Sequence, residues 1–276
     1  MTPLALFARL HPRQVLRALD EIDAAAPSYS LERPAALRRV IWVLACVSIS
    51  LLLLHYAKFS SNLHALLAWL DDGYIERLSA SGWLELCGYV WWTGWHLLTF
   101  ILLPWLVIRF GFKQSIRDFG WRWNQVSEHW RGYLLLLCPI LVLVVLVSFG
   151  EDFVDHYPFY RMAGRSWLDL LLWELLYMSQ FIFLEFFFRG FILNALRPAI
   201  GANAVWVMCV PYMMIHLPKL PLEAAGAILF GLFLGILALQ SRSIWGGVLV
   251  HVGVALSMDV AALLRKQELP GTFFPF

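Results

Sequence analysis

The chain has 276 residues, of which 61% are hydrophobic and 14% charged, and its formal net charge is +2. Soluble domains carry about 45–50% apolar and about 25% charged residues, so this composition argues against a soluble enzyme, a disordered chain or a disulfide scaffold. The small net charge argues against nucleic acid as a partner. What remains is an all-α polytopic membrane protein: a bundle of about seven to eight transmembrane helices with interfacial amphipathic helices, resident in a lipid bilayer.

In chain order, residues 1–39 read as a cytoplasmic or interfacial segment. Arg9, Arg13 and Arg17 recur beside Leu4, Phe7, Leu10 and Leu19, the pattern of a basic amphipathic helix on the inner leaflet, interrupted near Pro12. Apolar runs then predict spans at 40–57, 83–108, 133–149, 167–198, 203–217, 222–240 and 244–264. Residues 40–150 hold the first group of spans, 165–264 a second group where the chemistry concentrates, and 265–276 a tail. The fifth span is short and carries Pro211, so it is expected to be bent and buried among neighbours. Phe119, Trp121, Trp123 and Trp130 read as an aromatic belt. Cys46, Cys87, Cys138 and Cys209 share no metal-like spacing and read as small apolar fillers. No cleavable signal peptide is expected, since the first long apolar run begins near Val40.

Arginine and lysine set the orientation. Arg33, Arg38 and Arg39 precede the first span, and Arg109, Lys113, Arg117, Arg122 and Arg131 follow the second. The intervening loops carry Asp71, Asp72, Glu76, Glu151, Asp152 and Asp155. A cytoplasmic N-terminus follows, in a membrane of the bacterial inner type. Seven spans then put the tail outside, where Arg265 and Lys266 conflict with the rule; one further span removes the conflict.

An ionisable group at the bilayer centre costs roughly 2.5–3.5 kcal/mol on insertion scales. Within or beside the spans stand Glu85, His96, Glu174, Glu185, Arg189, His216, Glu223, His251 and Asp259. Taken singly, each reads as a snorkelling helix end or a satisfied polar group; His96, among tryptophans, is expected to be a packed histidine bonded to a carbonyl. Glu174 lies about three helical turns before Glu185 and on the same side, as a supporting carboxylate. Glu185 and Arg189 are four residues apart, so their side chains can meet. Glu185 lies about 15 residues before the turn at Pro198–Gly201 and His216 about 15 after, so both sit roughly 22 Å from it at one depth. His251 and Asp259 share a face of the last span. One carboxylate, two histidines, an arginine and a second acid suit peptide hydrolysis. The acid takes a proton from water, one imidazole holds that water, and the other donates to the oxyanion. Arg189 offsets the cost of keeping Glu185 ionised in apolar surroundings.

Around these residues the sequence resembles the CPBP intramembrane proteases, which include CAAX-processing prenyl endopeptidases and bacteriocin-processing proteins. That family shows E-E-x-x-x-R, then F-x-x-x-H, then H-x-x-x-N or H-x-x-x-D. Leu184-Glu185-Phe186-Phe187-Phe188-Arg189 resembles the first motif and Tyr212 to His216 the second, with Tyr212 in place of Phe. Ser243-Ile244-Trp245-Gly246-Gly247 with His251 resembles the last helix. The likeness covers roughly 165–260 and leaves the N-terminal half unmatched. Leu184 stands where the family has its first Glu, the proposed base, so Glu185 must serve. Ala255 stands where Asn or Asp would follow His251, so Asp259 stands in for it, and Glu223 can supply the missing second carboxylate. A bacterial subgroup with E-F-F-F-R-G-F and H-x-P-K, here His216-Leu217-Pro218-Lys219, is similar, and the likeness implies myxosortase-like processing of C-terminal sorting tails.

The expected function is a glutamic-type intramembrane endoprotease with no obligatory cofactor, acting on a protein or peptide substrate with a hydrophobic C-terminal segment. In a zinc version, Glu185, His216 and His251 form the ligand set with one position open, although the sequence has no H-E-x-x-H. The alternatives are a non-catalytic scaffold that binds a partner or peptide, motivated by Leu184, and a proton-coupled transporter, against which the lack of an inverted repeat argues.

Overall fold

The computed structural model describes residues 11–25, 32–123, 125–219 and 221–275. Among these every regular element is helical. The elements are α1 (Pro12–Ala25), α2 (Arg33–Ala57), α3 (Ser60–Leu70), α4 (Tyr74–Ala80), α5 (Leu84–Gly111), α6 (Trp130–Val147), α7 (Glu151–His156), α8 (167–200), α9 (Ala204–Met214), α10 (Pro221–Ser241) and α11 (Trp245–Lys266).

The long helices are apolar on their outsides as well as their insides. Along α2, Leu37, Ile41, Trp42, Ile49 and Leu52 are all more than half exposed, and Val142, Val145 and Leu146 do the same on α6. A helix apolar all round belongs in lipid, and six helices among the described residues are long and apolar enough to cross a membrane. The protein is an integral membrane protein. The apolar runs in the sequence number seven. The run at 203–217 forms α9, only 11 residues long, about 16 Å against a hydrocarbon core of about 30 Å. It reverses out of α8 through the tight turn Gly201–Asn203, and is packed against the end of α8 and against α10. Its Pro211 lies within the helix, as expected.

The amphipathic helix begins at Pro12, a residue well suited to a first helical position. Val15, Leu19 and Ile22 are buried while Arg13 and Arg17 face out; Leu4, Phe7, Arg9 and Leu10 lie outside the described residues. The stretch 60–80, which had no expected element, forms the short helices α3 and α4. Leu63 is buried there, but Trp69 is 80% exposed, so the pair presents an apolar flank too short to span.

The chain divides into two compact units, each assembled from three separated segments. The first holds residues 1–48, 103–136 and 184–250. Arg39 pins it: its guanidinium donates to the Ala195 carbonyl (2.7 Å) and to Gln114 (2.8 Å) and lies 4.0 Å from the Phe112 ring centroid. The second holds 49–102, 137–183 and 251–276, with an aromatic core of Tyr160, Trp173 and Tyr177 packed with Leu86, Leu170 and Leu263. Within it α8 and α11 run antiparallel. Trp173 meets Asp259, Tyr177 shares the core with Ala255, and Phe181 stacks on His251; one helix climbs by four residues as the other descends by four. The start of α8 is fixed by Asp169, fully buried, which accepts hydrogen bonds from Arg165 (2.7 and 2.9 Å), Tyr160 (2.7 Å) and Ser166 (2.6 Å). The backbone N–H groups of Trp167 and Leu168 donate to the carbonyls of Thr272 and Phe273, so the tail lies at this same end. Arg265 is held there over the Phe149 ring, at 4.7 Å, a local partner for one of the two cations at odds with the charge rule.

Candidate functional site

The first unit builds its polar centre on α8, where the helix widens from α to π winding over Phe186–Ile192. Phe186, Phe187, Phe188 and Phe191 are all fully buried here. Gly190 lies so close to the Phe119 carbonyl that a Cβ would come within 2.8 Å of it. Fitting four rings and one glycine contact into a single stretch favours a wider turn, and such π-turns recur at functional sites.

Glu185 ends the α-helical part. Its Oε1 is 3.0 Å from Arg189 Nη1, and both residues have 0% relative exposure. The expected four-residue pairing is therefore present. The Arg189 guanidinium lies 4.0 Å from the centroid of the Tyr212 ring on α9, so a carboxylate and an aromatic face both address the buried cation. Gly247 of α11 faces the Glu185 carboxylate, and a Cβ there would collide with Oε2. Burying an ion pair is costly, and breaking one by deleting a partner costs more.

His216 follows α9. Its Nδ1 is 2.8 Å from the Tyr212 carbonyl oxygen and its ring is 4.7 Å from the Tyr212 ring. A carbonyl only accepts, so Nδ1 carries the proton and Nε2 keeps its lone pair in the neutral imidazole. His216 is half-buried, more accessible than Glu185. Glu185 lies one turn before Arg189 and His216 one turn after Tyr212 on an antiparallel element, so both are displaced toward the same end from the Arg189–Tyr212 contact.

The second unit holds His251, Asp259 and Glu174. His251 lies face to face with Phe181, ring centroids 5.5 Å apart. Asp259 is fully buried, and its Oδ2 accepts a hydrogen bond from Trp173 Nε1 at 2.6 Å. The Ala255 position, where the family pattern has a polar residue, packs instead into the aromatic core. Glu174 is 5% exposed, and neither carboxyl oxygen has a hydrogen-bond partner among the described residues. Gln180, also 5% exposed, shares that condition. The Glu223 side chain lies outside the described residues. His96 donates from Nδ1 to the Trp92 carbonyl (2.8 Å) and packs between Trp92 and Phe100, as expected. Among the described residues no group of three or more His, Cys, Asp or Glu side chains is placed to hold a metal ion.

Three positions that sequence reasoning passed over complete these surroundings: Gly247 beside Glu185, Trp173 beside Asp259, and Phe181 beside His251. Only Gly247 carried a signal, as part of the Gly246-Gly247 pair.

Residues 165–257 match the family model for Rce1-like type II CAAX prenyl endopeptidases. The match covers about a third of the chain, from just before α8 to within α11. It agrees with the resemblance to CPBP intramembrane proteases. It takes in Glu174, Glu185, Arg189, Tyr212, His216, Glu223 and His251, and ends two residues before Asp259. No curated protein and no solved structure matches the chain.

Proposed function

We propose that the protein is a glutamic-type intramembrane endopeptidase that hydrolyses a peptide bond near the membrane in the C-terminal tail of a protein or lipoprotein. The observation that carries this reading is the Glu185–Arg189–Tyr212 centre, with His216 at its accessible edge, inside the segment that matches the peptidase family. Water enters past His216, the half-buried member. Nε2 of His216 accepts a hydrogen bond from it and Glu185 takes its proton, so that the oxygen adds to the scissile carbonyl. Arg189, 3.0 Å from the Glu185 carboxylate, positions it without joining the reaction. The proton on Glu185 then passes to the leaving amine as the carbon–nitrogen bond breaks. No cofactor is required. The substrate ends in a hydrophobic segment, and the chain sits in a bacterial inner membrane with its N-terminus in the cytoplasm.

A second reading, a non-catalytic scaffold that binds such a tail, is favoured by two specific features: Leu184 in place of the first motif carboxylate, and Glu185 closed in between Arg189 and Gly247. The test uses full-length protein in vesicles with a hydrophobic-tailed peptide. Loss of cleavage in both Glu185→Gln and His216→Ala, by about 100-fold or more, is expected. Full activity in both variants would remove these residues from the mechanism, and a stable peptide complex without turnover in the wild type would favour the scaffold. Cleavage that survives a strong chelator is also expected.

A further inference from the structure

The second unit contains a cavity of about 620 Å³, walled by residues between Lys58 and Trp92 and by Met162. Lys58, Ser60, His64, Glu85, Tyr89 and Trp92 all face it. It lies outside the segment that matches the peptidase family and touches none of the residues assigned to hydrolysis. Its size falls within the range of small-molecule sites, about 300–1,000 Å³.

Two features distinguish it from a packing defect. The first is depth. Lys58 directly follows the last residue of α2, and Glu85 is the second residue of α5. Both therefore stand where membrane helices end, at the level of lipid headgroups. The second is charge. A cation and an anion both line it, yet among the described residues neither forms an ion pair, with the other or with a third group. Lys58 is half-buried, and burial lowers its pKa with no acid opposing the shift. Glu85 is fixed in place: its Oε1 accepts the Arg161 backbone N–H at 3.0 Å. The Tyr89 hydroxyl is already used, donating to the Phe159 carbonyl at 2.8 Å, so Tyr89 offers the cavity its ring, beside the indole of Trp92.

We propose that this cavity binds the headgroup of a zwitterionic phospholipid, a phosphate joined to an ammonium. Lys58, with the Ser60 hydroxyl and the His64 imidazole, takes the phosphate. Glu85 takes the ammonium, with the faces of Tyr89 and Trp92 beside it. A purely anionic lipid would satisfy Lys58 and set its charge against Glu85. A free phosphate would leave Glu85 without a cation. Only a ligand carrying both charges answers both side chains.

The test is lipid titration of the full-length protein in detergent, read by native mass spectrometry. It uses phosphatidylethanolamine, phosphatidylcholine and phosphatidylglycerol with identical acyl chains. Either zwitterionic lipid is expected to bind about tenfold more tightly than phosphatidylglycerol. Lys58→Met is expected to weaken zwitterionic binding about tenfold. Glu85→Gln, which keeps an oxygen acceptor for the Arg161 N–H, is expected to abolish the discrimination between lipids. Equal or tighter binding of phosphatidylglycerol to the wild type would overturn the proposal whatever the variants do. So would unchanged selectivity in Glu85→Gln, or displacement of the lipid by a hydrophobic peptide with a free C-terminal carboxylate, which would make this a peptide site.

Discussion

Glu185 in the first unit and Glu174 in the second lie on the same helix, eleven residues apart in sequence, and neither is more than 5% exposed. Arg189 meets Glu185 at 3.0 Å, with Tyr212 behind the guanidinium and Gly247 against the carboxylate. Glu174 has no hydrogen-bond partner among the described residues. In one region a charge was buried together with its counterion and the backbone was cleared to fit it. In the other a carboxyl group was buried and left unanswered. Burial alone therefore does not distinguish the two acids; the partners around each separate a supported carboxylate from a destabilising one.

Removing the counterion should show the difference most strongly. Arg189→Met leaves Glu185 buried without its cation and is expected to cost about 3–5 kcal/mol. The measurement is reversible unfolding in mixed micelles, and adding Glu185→Gln should recover part of the loss. If Arg189→Met is silent, the ion pair contributes nothing to the first unit. Next in size is Gly247→Ala, whose Cβ has no room beside Oε2; overpacking of this kind costs about 1–3 kcal/mol, read in the same assay. Glu174→Leu should act with the opposite sign. It removes a buried polar group that has no partner, so stability rises, by about 1 kcal/mol; a clear loss would mean that Glu174 is held by a partner after all.

The smallest effect belongs to an exposed pair far from both acids. Arg77 donates to Asp71 at 2.7 Å, and that hydrogen bond, with one from the Gly73 N–H, lowers the Asp71 pKa below its ordinary 3.8. A carboxylate with a depressed folded pKa contributes its stabilisation in full above the unfolded value and loses it as pH falls through the folded one. The protection factors of the 71–77 amides, corrected for the intrinsic exchange rate, should therefore be constant above about pH 4 and fall below it in the wild type but not in Asp71→Asn.

Much of this architecture can be read from the residues. Apolar run length places α2, α5, α6, α8, α10 and α11, because a helix in lipid must be both long and apolar, and the four-residue spacing of Glu185 and Arg189 anticipates their ion pair. The extent of α9 was less legible. Its run is apolar through Leu217, but the helix stops at Met214, and hydropathy does not distinguish an apolar turn from an apolar helix. The π winding at Phe186–Ile192 was not legible either: four phenylalanines are buried in or beside it and Gly190 lies against the Phe119 carbonyl, tertiary contacts that local spacing does not reveal. For the same reason the hydrogen bond from Trp173 to Asp259 was not legible, since its two ends lie 86 positions apart in sequence.

Under the proposed function, the Glu185–Arg189–Tyr212 centre hydrolyses a peptide bond with water activated at Glu185. The most direct measurement is mass spectrometry of a hydrophobic-tailed substrate incubated in ¹⁸O-labelled water with the full-length protein in vesicles. A cleaved product carrying one heavy oxygen in its new C-terminal carboxylate is expected from the wild type, and no such product from Glu185→Gln. Uncleaved substrate held by the wild type, or the same labelled product from Glu185→Gln, would contradict it.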